Sequence, residues 1–136
     1  MVSYTKKLVP VTFSYHILGS RLERKDNIRD LGIIFDSKFS FNNHIIDVIE
    51  KAYKMFGFIY RNCRNFTNIT TLTQLFYALV RSPLEYGAII WYPMFNRYIN
   101  RLQAVQRKFL KFLCFRIEGV YPARGYDHTL LLTSPY

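Results

Sequence analysis

The chain has 136 residues, half of them apolar, and a formal net charge of +10. That length suits one domain with one core, and the charge makes an anionic partner the leading class: nucleic acid, or the face of an acidic membrane. The longest apolar runs, Leu75–Val80 and Tyr86–Tyr92, fall far short of the roughly 18 residues a bilayer span requires.

The start of the chain, Met1 to Lys7, carries charge but no apolar stretch of the kind secretion needs. Cys63 and Cys114 are therefore expected to be reduced and buried, not paired, in a cytoplasmic or nuclear protein. The charge is uneven. Between Lys51 and Arg116 there are eleven Lys or Arg residues and one acid, Glu85, whereas from Arg21 to Asp36 the two signs cancel. The binding surface is expected in the second half.

Along the chain, Val11, Phe13, Tyr15 and Ile17 alternate with Thr12, Ser14, His16 and Leu18, which predicts a half-buried strand that Gly19-Ser20 breaks. A polar turn at Lys25-Asp26-Asn27 precedes Leu31-Gly32-Ile33-Ile34-Phe35, dense enough in apolar residues for a strand covered on both faces. So few strands do not make a stable sheet alone, so the rest of their sheet is expected elsewhere. From about Asn43 to Asn62, the residues Ile45, Ile49, Ala52, Phe56 and Ile59 recur at helical spacing, with Val48 and Met55 beside them.

The Thr/Asn-rich link from Asn65 to Thr71 offers a cap for a second helix, with Leu72, Leu75, Phe76 and Leu79 on one face. Pro83 kinks or ends that helix, and Tyr86–Trp91 resumes it as far as Pro93. Asn96 caps a third helix whose inward stripe is Ile99, Leu102, Val105 or Gln106, Phe109 and Leu113. Arg97, Arg101, Lys108 and Lys111 fall mainly on its other faces. After Arg116 the pattern fades into an irregular tail, residues 117–136. The expected class is α+β: short antiparallel strands over residues 1–41, then a three-helix bundle over 42–116.

Three stretches carry a resemblance. Asp30-Leu31-Gly32-Ile33-Ile34-Phe35-Asp36, with Phe39-Ser40-Phe41 and His44-Ile45 after it, resembles the "(D/Y)LG-V-x-x-D, L-x-F, H-I" segment of non-LTR retrotransposon reverse transcriptases. Leu79-Val80-Arg81-Ser82-Pro83-Leu84-Glu85-Tyr86-Gly87, running into Ile90-Trp91-Tyr92-Pro93, resembles the segment that follows in jockey-type elements. Val105-Gln106-Arg107-Lys108-Phe109-Leu110 is similar to the "VQRRFLR" block after that. Order and spacing agree across roughly residues 8 to 116.

The resemblance implies that residues 1–41 are the end of a polymerase palm. The turn into Leu31-Gly32, with Arg29 beside it, is then the primer grip that positions the growing 3′ end. It implies that residues 42–116 are the thumb, lying against a template–primer duplex or RNA–DNA hybrid. The candidate contacts there are Lys51, Lys54, Arg61 and Arg64 on the first helix, and Arg97, Arg101, Arg107, Lys108 and Lys111 on the third. The chain departs from the family in having no Asp-Asp pair, and two-metal phosphoryl transfer needs carboxylates holding both ions. Neither a catalytic residue nor a metal ligand is assigned. Magnesium belongs to the parent enzyme, whose fingers and remaining palm are the other expected partners.

Asp26, Asp30 and Asp36 read as turn or strand-end residues. His16, His44 and His128 are too scattered for zinc, with His44 expected in a packing or capping role. Trp91, inside an apolar run, reads as core. Two other functions compete with the fragment of a reverse transcriptase. One is a stand-alone basic nucleic-acid-binding helical module; the other is a peripheral membrane or protein-interaction unit built on amphipathic helices.

Overall fold

The computed structural model describes Val2, Tyr4 and residues 13–92 and 96–121. The architecture is α+β: two antiparallel strand pairs followed by helices. The first pair joins β1 (His16–Ile17) to β2 (Ser20–Arg21), and the second joins β3 (Asn27–Asp30) to β4 (Ile33–Asp36). Each hairpin turns on a Leu-Gly dipeptide, Leu18-Gly19 and Leu31-Gly32, with positive φ at both positions (49° and 79°, 45° and 84°). That is the turn whose twist matches paired strands. Leucine at its first position is strained, because a side chain crowds the left-handed region.

The predicted strand over 11–17 is therefore much shorter than its alternation suggested. Val11 and Thr12 lie outside the described residues, residues 13–15 are not strand, and Phe13, Tyr15 and Ile17 are exposed. Alternation predicts which side chains share a face; it does not supply the neighbour that buries them. Leu31-Gly32 is likewise the turn and not part of the strand. β3 is exposed throughout, and in β4 only Ile33 is fully buried while Ile34 and Phe35 are half-buried, so the second run is only partly covered.

The chain enters the helices through a loop organised by Asp36. Its carboxylate accepts from the Phe41 N–H (2.9 Å) and the Ser40 hydroxyl (2.8 Å), and its carbonyl accepts from the Phe39 N–H (3.0 Å). Phe39 and Phe41 both sit at φ 54°, and these bonds hold a backbone that is otherwise unfavourable. Burial pushes the Asp36 carboxyl up, but the hydrogen bonds from Phe41 and Ser40 outweigh it and leave it below its ordinary value. Asp36 is thus a structural acid.

Helix α1 (Asn42–Asn62) is the spine. Its predicted stripe, Ile45, Ile49, Ala52, Phe56 and Ile59, is buried together with Val48, whereas Met55 is exposed. The N-terminal half packs Ile45 and Ile49 with Ile33, Trp91 and Tyr98. The C-terminal half packs Ala52, Phe56 and Ile59 with Leu72, Phe76, Val80, Val105, Phe109 and Phe112. Because Ile33 of β4 belongs to the first cluster, packing crosses the sequence boundary at 41/42.

Helix α2 (Ile69–Phe76) starts at Asn68, whose side chain accepts from the N–H groups of Thr70 (2.9 Å) and Thr71 (3.3 Å). A π-helical turn (Tyr77–Arg81) runs straight into α3 (Ser82–Glu85). Pro83 explains the wide turn: it lacks an N–H, and its ring collides with the carbonyl four residues back in a regular α-helix. The rotation ends at Tyr86-Gly87 and resumes as α4 (Ala88–Trp91), with Gly87 at φ 64°. Glycine is required there, since an added Cβ would come within 2.7 Å of Ile33 Cδ1.

Helix α5 (Asn96–Glu118) begins at Asn96 itself and extends two residues past Arg116. It buries Tyr98, Val105, Phe109, Phe112 and Leu113; Val105, not Gln106, points inward, and Ile99 and Leu102 are half-buried. Phe76 stacks on Phe109 with ring centroids 3.9 Å apart. The predicted second helix is thus several short pieces between two long ones. Of the predicted tail, residues 122–136 lie outside the described residues.

Candidate nucleic-acid interface

α1 and α5 run side by side, and their solvent-facing residues carry most of the predicted cations. On α5, Arg97, Arg101, Lys108 and Lys111 follow one another by four, seven and three residues, which places them on one flank at about 100° per residue. Arg97, Arg101 and Lys108 are exposed and Lys111 is half-buried. No acid occurs on this helix before Glu118. Arg107 lies off the flank, and its guanidinium donates to the Asn100 carbonyl at 3.3 Å.

On α1, Lys51, Lys54 and Arg61 form the outward stripe, all exposed, and Arg64 follows the helix end. Lys51 is not independent of the fold. It shares the Asp47 carboxylate (2.7 Å) with Arg29 (2.9 Å) of β3, so the hairpin is tied to the first turns of α1. Burial pushes the Asp47 carboxyl up, and the Lys51 and Arg29 charges more than reverse that, holding it below the usual carboxylate range.

These pairings sort the predicted contacts. Arg29 and Lys51 neutralise Asp47, and Arg97 rests over the Tyr98 ring (4.6 Å) while donating to its hydroxyl at 3.0 Å. Lys108 lies 5.0 Å from the centre of the Tyr53 ring. Arg101, Lys108 and Lys111 have no ion-pair partner among the described residues. Arg116 is used internally: its two terminal nitrogens donate to the carbonyls of Arg64 (2.6 Å) and Cys63 (3.0 Å), closing the C-terminus of α1.

Leu31 and Gly32 form an exposed tip beside Tyr86, and Arg29 stands on the same hairpin. This tip and the α5 flank are carried by one packed unit, joined through Ile33, Ile45 and Tyr98. The role of Tyr86 in holding the tip was not legible from sequence; its partner is 55 residues away.

His44 is buried against Trp91, edge to face at 5.3 Å. Its Nδ1 accepts weakly from the Ile34 N–H (3.4 Å), and Nε2 has no partner among the described residues. Burial pulls the imidazole below its ordinary value; Asp47 pushes the other way, and Lys51 and Arg29 reinforce the drop. Trp91 is core, its Nε1–H donating to the Tyr86 carbonyl at 2.7 Å. Cys63 and Cys114 are free and buried, and the Cys114 thiol is pushed up by burial and by the nearby Glu118 charge.

Among the described residues no three His, Cys, Asp or Glu side chains are grouped to hold a metal, and no helix is long and apolar enough to cross a membrane. Comparison with family models, with curated proteins and with solved structures finds no match to this chain.

Proposed function

We propose that this chain is a template–primer-contacting part of a reverse transcriptase of the non-LTR retrotransposon type, comprising the end of the palm and the thumb. The observation that carries the reading is the acid-free basic flank of α5, Arg97, Arg101, Lys108 and Lys111, on a helix packed along α1. Cations spaced along a rigid rod meet phosphates along a duplex and position it without reading bases. Further support comes from the hairpin tip. Leu31-Gly32 is exposed and held to the helical unit at fixed distance, as a grip on a primer end requires.

In this reading the chain binds and does not polymerise, because its sequence has no Asp-Asp pair and metal-assisted phosphoryl transfer needs paired carboxylates. The missing fingers and palm, with their magnesium, are supplied by the rest of the enzyme. Affinity for a blunt RNA–DNA hybrid is expected in the non-specific range, roughly 10⁻⁴ to 10⁻⁶ M.

The test is hybrid binding by fluorescence anisotropy across a salt series. Replacing Arg101, Lys108 and Lys111 together with Gln should weaken binding to all sequences alike. Each lost contact should reduce the slope of log K against log salt by roughly 0.7–0.9. Circular dichroism should show unchanged helicity, because the buried Val105, Phe109, Phe112 and Leu113 are untouched. A folded triple variant with unaltered affinity and slope would remove α5 from the interface. Stronger binding to anionic vesicles than to hybrid would favour the membrane-surface alternative.

A further inference from the structure

Between α1 and α5 lies an open groove of about 570 Å³, lined by Tyr53, Phe56, Gly57, Tyr60, Lys108 and Tyr121. Its size falls within the roughly 300–1,000 Å³ of small-ligand sites. Phe56 is buried in the main core and closes the floor, while Tyr60 and Tyr121 are exposed at the sides. The Tyr60 ring is braced against Phe112 at 5.5 Å, and Tyr121 against Phe115 at 5.3 Å.

Gly57 stands in the middle of a 21-residue helix, where glycine is the least favourable residue except proline. Nothing in the described structure requires it: its φ is ordinary for a helix, and an added Cβ meets no atom within 4 Å. What its bare backbone does is keep the groove open along α1.

The rims are cationic on both sides. Lys54 and Arg61 lie three before and four after Gly57, next to it around α1, and Lys108 lines the groove from the α5 side. Neither α1 beyond Glu50 nor α5 before Glu118 carries an acid. Aromatic walls between cations on the two helices suit a ligand with a flat π-face and a phosphate on each side, which describes a nucleotide inside a single strand. A neutral apolar helix would leave those cations unmatched.

We propose that this groove seats one unpaired base of the single-stranded stretch adjoining the bound duplex, with Lys108 and Arg61 meeting the phosphates on either side. The inference rests on the nucleic-acid reading above and adds a subsite to it.

The full chain is titrated with three probes: a blunt hybrid duplex, the same duplex with a short single-stranded overhang, and the overhang with abasic sites. The overhang should tighten binding roughly ten-fold, the scale of one base stacked on aromatic side chains. The abasic overhang should give no more than the small gain of its added charge. Gly57→Met, a good helix former that fills the groove, and Tyr60→Leu should each abolish the ten-fold gain and leave blunt-duplex affinity unchanged.

Equal binding of blunt and overhang probes overturns the subsite while leaving the duplex reading intact. So does an abasic overhang as tight as the normal one, or a Gly57→Met protein of unchanged helicity that keeps the gain. Failure to bind any of the three probes overturns both readings.

Discussion

The Tyr86 hydroxyl donates to the backbone carbonyl of Leu31 at 3.0 Å, joining a hairpin tip to the turn between α3 and α4 across 55 residues. The Tyr86 ring also lies against Gly32, where an added Cβ would come 3.7 Å from Cε1. Tyr86→Phe keeps the ring and removes the bond. The expected loss is about 0.5–1 kcal/mol, the low end for a neutral hydrogen bond because the site is exposed. Amide exchange at Ile33 should accelerate, and a urea midpoint gives the stability. Unchanged exchange there would mean that the tip is held by packing alone.

Arg116 is expected to contribute to stability rather than to hybrid binding, since its guanidinium is engaged internally. Its fork closes two carbonyls at the end of α1, a geometry that a lysine ammonium reproduces poorly. Arg116→Ala should cost about 1.5–3 kcal/mol in chemical denaturation, in the range of charge-assisted hydrogen bonds, and Arg116→Lys should restore less than half. Hybrid affinity at fixed salt should change far less than in the Arg101, Lys108, Lys111 variant. An equal loss of affinity would place Arg116 among the contacts.

Buried His44 makes stability fall on mild acidification. Burial lowers its folded-state pKa, so the unfolded chain takes up the proton more readily. The stability it contributes is complete above about pH 6.5 and lost as pH falls from there through the folded value. Asp36 and Asp47, both lowered in the folded chain, act in the same direction but only as pH approaches and passes below about 3.8. Thermal midpoints measured from pH 7.5 to 5 should decline for the native chain. They should stay nearly flat over that range for His44→Phe, which preserves an aromatic contact with Trp91.

The two hairpins differ in what their removal does. The first hairpin exposes Ile17 of β1 and Leu18 of its turn, and its residues are absent from both core clusters, an exposed apolar edge of the kind that promotes association. Deleting residues 1–21 should reduce aggregation, read by light scattering, without lowering the thermal midpoint. Deleting residues 1–38 also removes Ile33 and Phe35 and uncovers Ile45, Ile49 and Trp91. That deletion should lower the midpoint and increase scattering. Equal behaviour of the two truncations would detach β4 from the core.

The helices were legible because their signal is local. The stripe from Ile45 to Ile59 and the cap at Asn68 both depend on residues within a few positions of each other. The strands were less so. Alternation over 11–17 looked like a strand, yet among the described residues of that run the strand is confined to His16–Ile17, since pairing depends on a neighbour that local sequence does not encode. At the candidate interface, the charge imbalance that marks α5 as a cationic helix is a property of the sequence itself. It does not reveal that Arg116 serves the carbonyls of Cys63 and Arg64, 53 and 52 residues away, while Lys108 stands over the Tyr53 ring. Nor did any local pattern distinguish Gly57, whose helical context looks like that of any tolerated glycine.

The wide turn before Pro83 acts as a change of phase. Counting about 100° per residue from Leu72, an uninterrupted α-helix would aim position 83 at the core and turn position 84 well aside. With one residue absorbed by Tyr77–Arg81, every later side chain is set back by one step. Leu84 then packs against the main cluster, and Pro83 and Ser82 face outward. The segment is therefore a length adapter, matching an odd number of residues to the fixed distance between Leu72 and the Tyr86-Gly87 turn. Removing the exposed Ala78 should leave Leu84 on the same face, though at the cost of about 3 kcal/mol for returning Pro83 to a regular helix, while removing one residue from 70–76 would rotate Leu72 or Phe76 away from Phe109. Single-residue loss that keeps the core register is thus confined to the π-helical turn, and Pro83 sets what that loss costs.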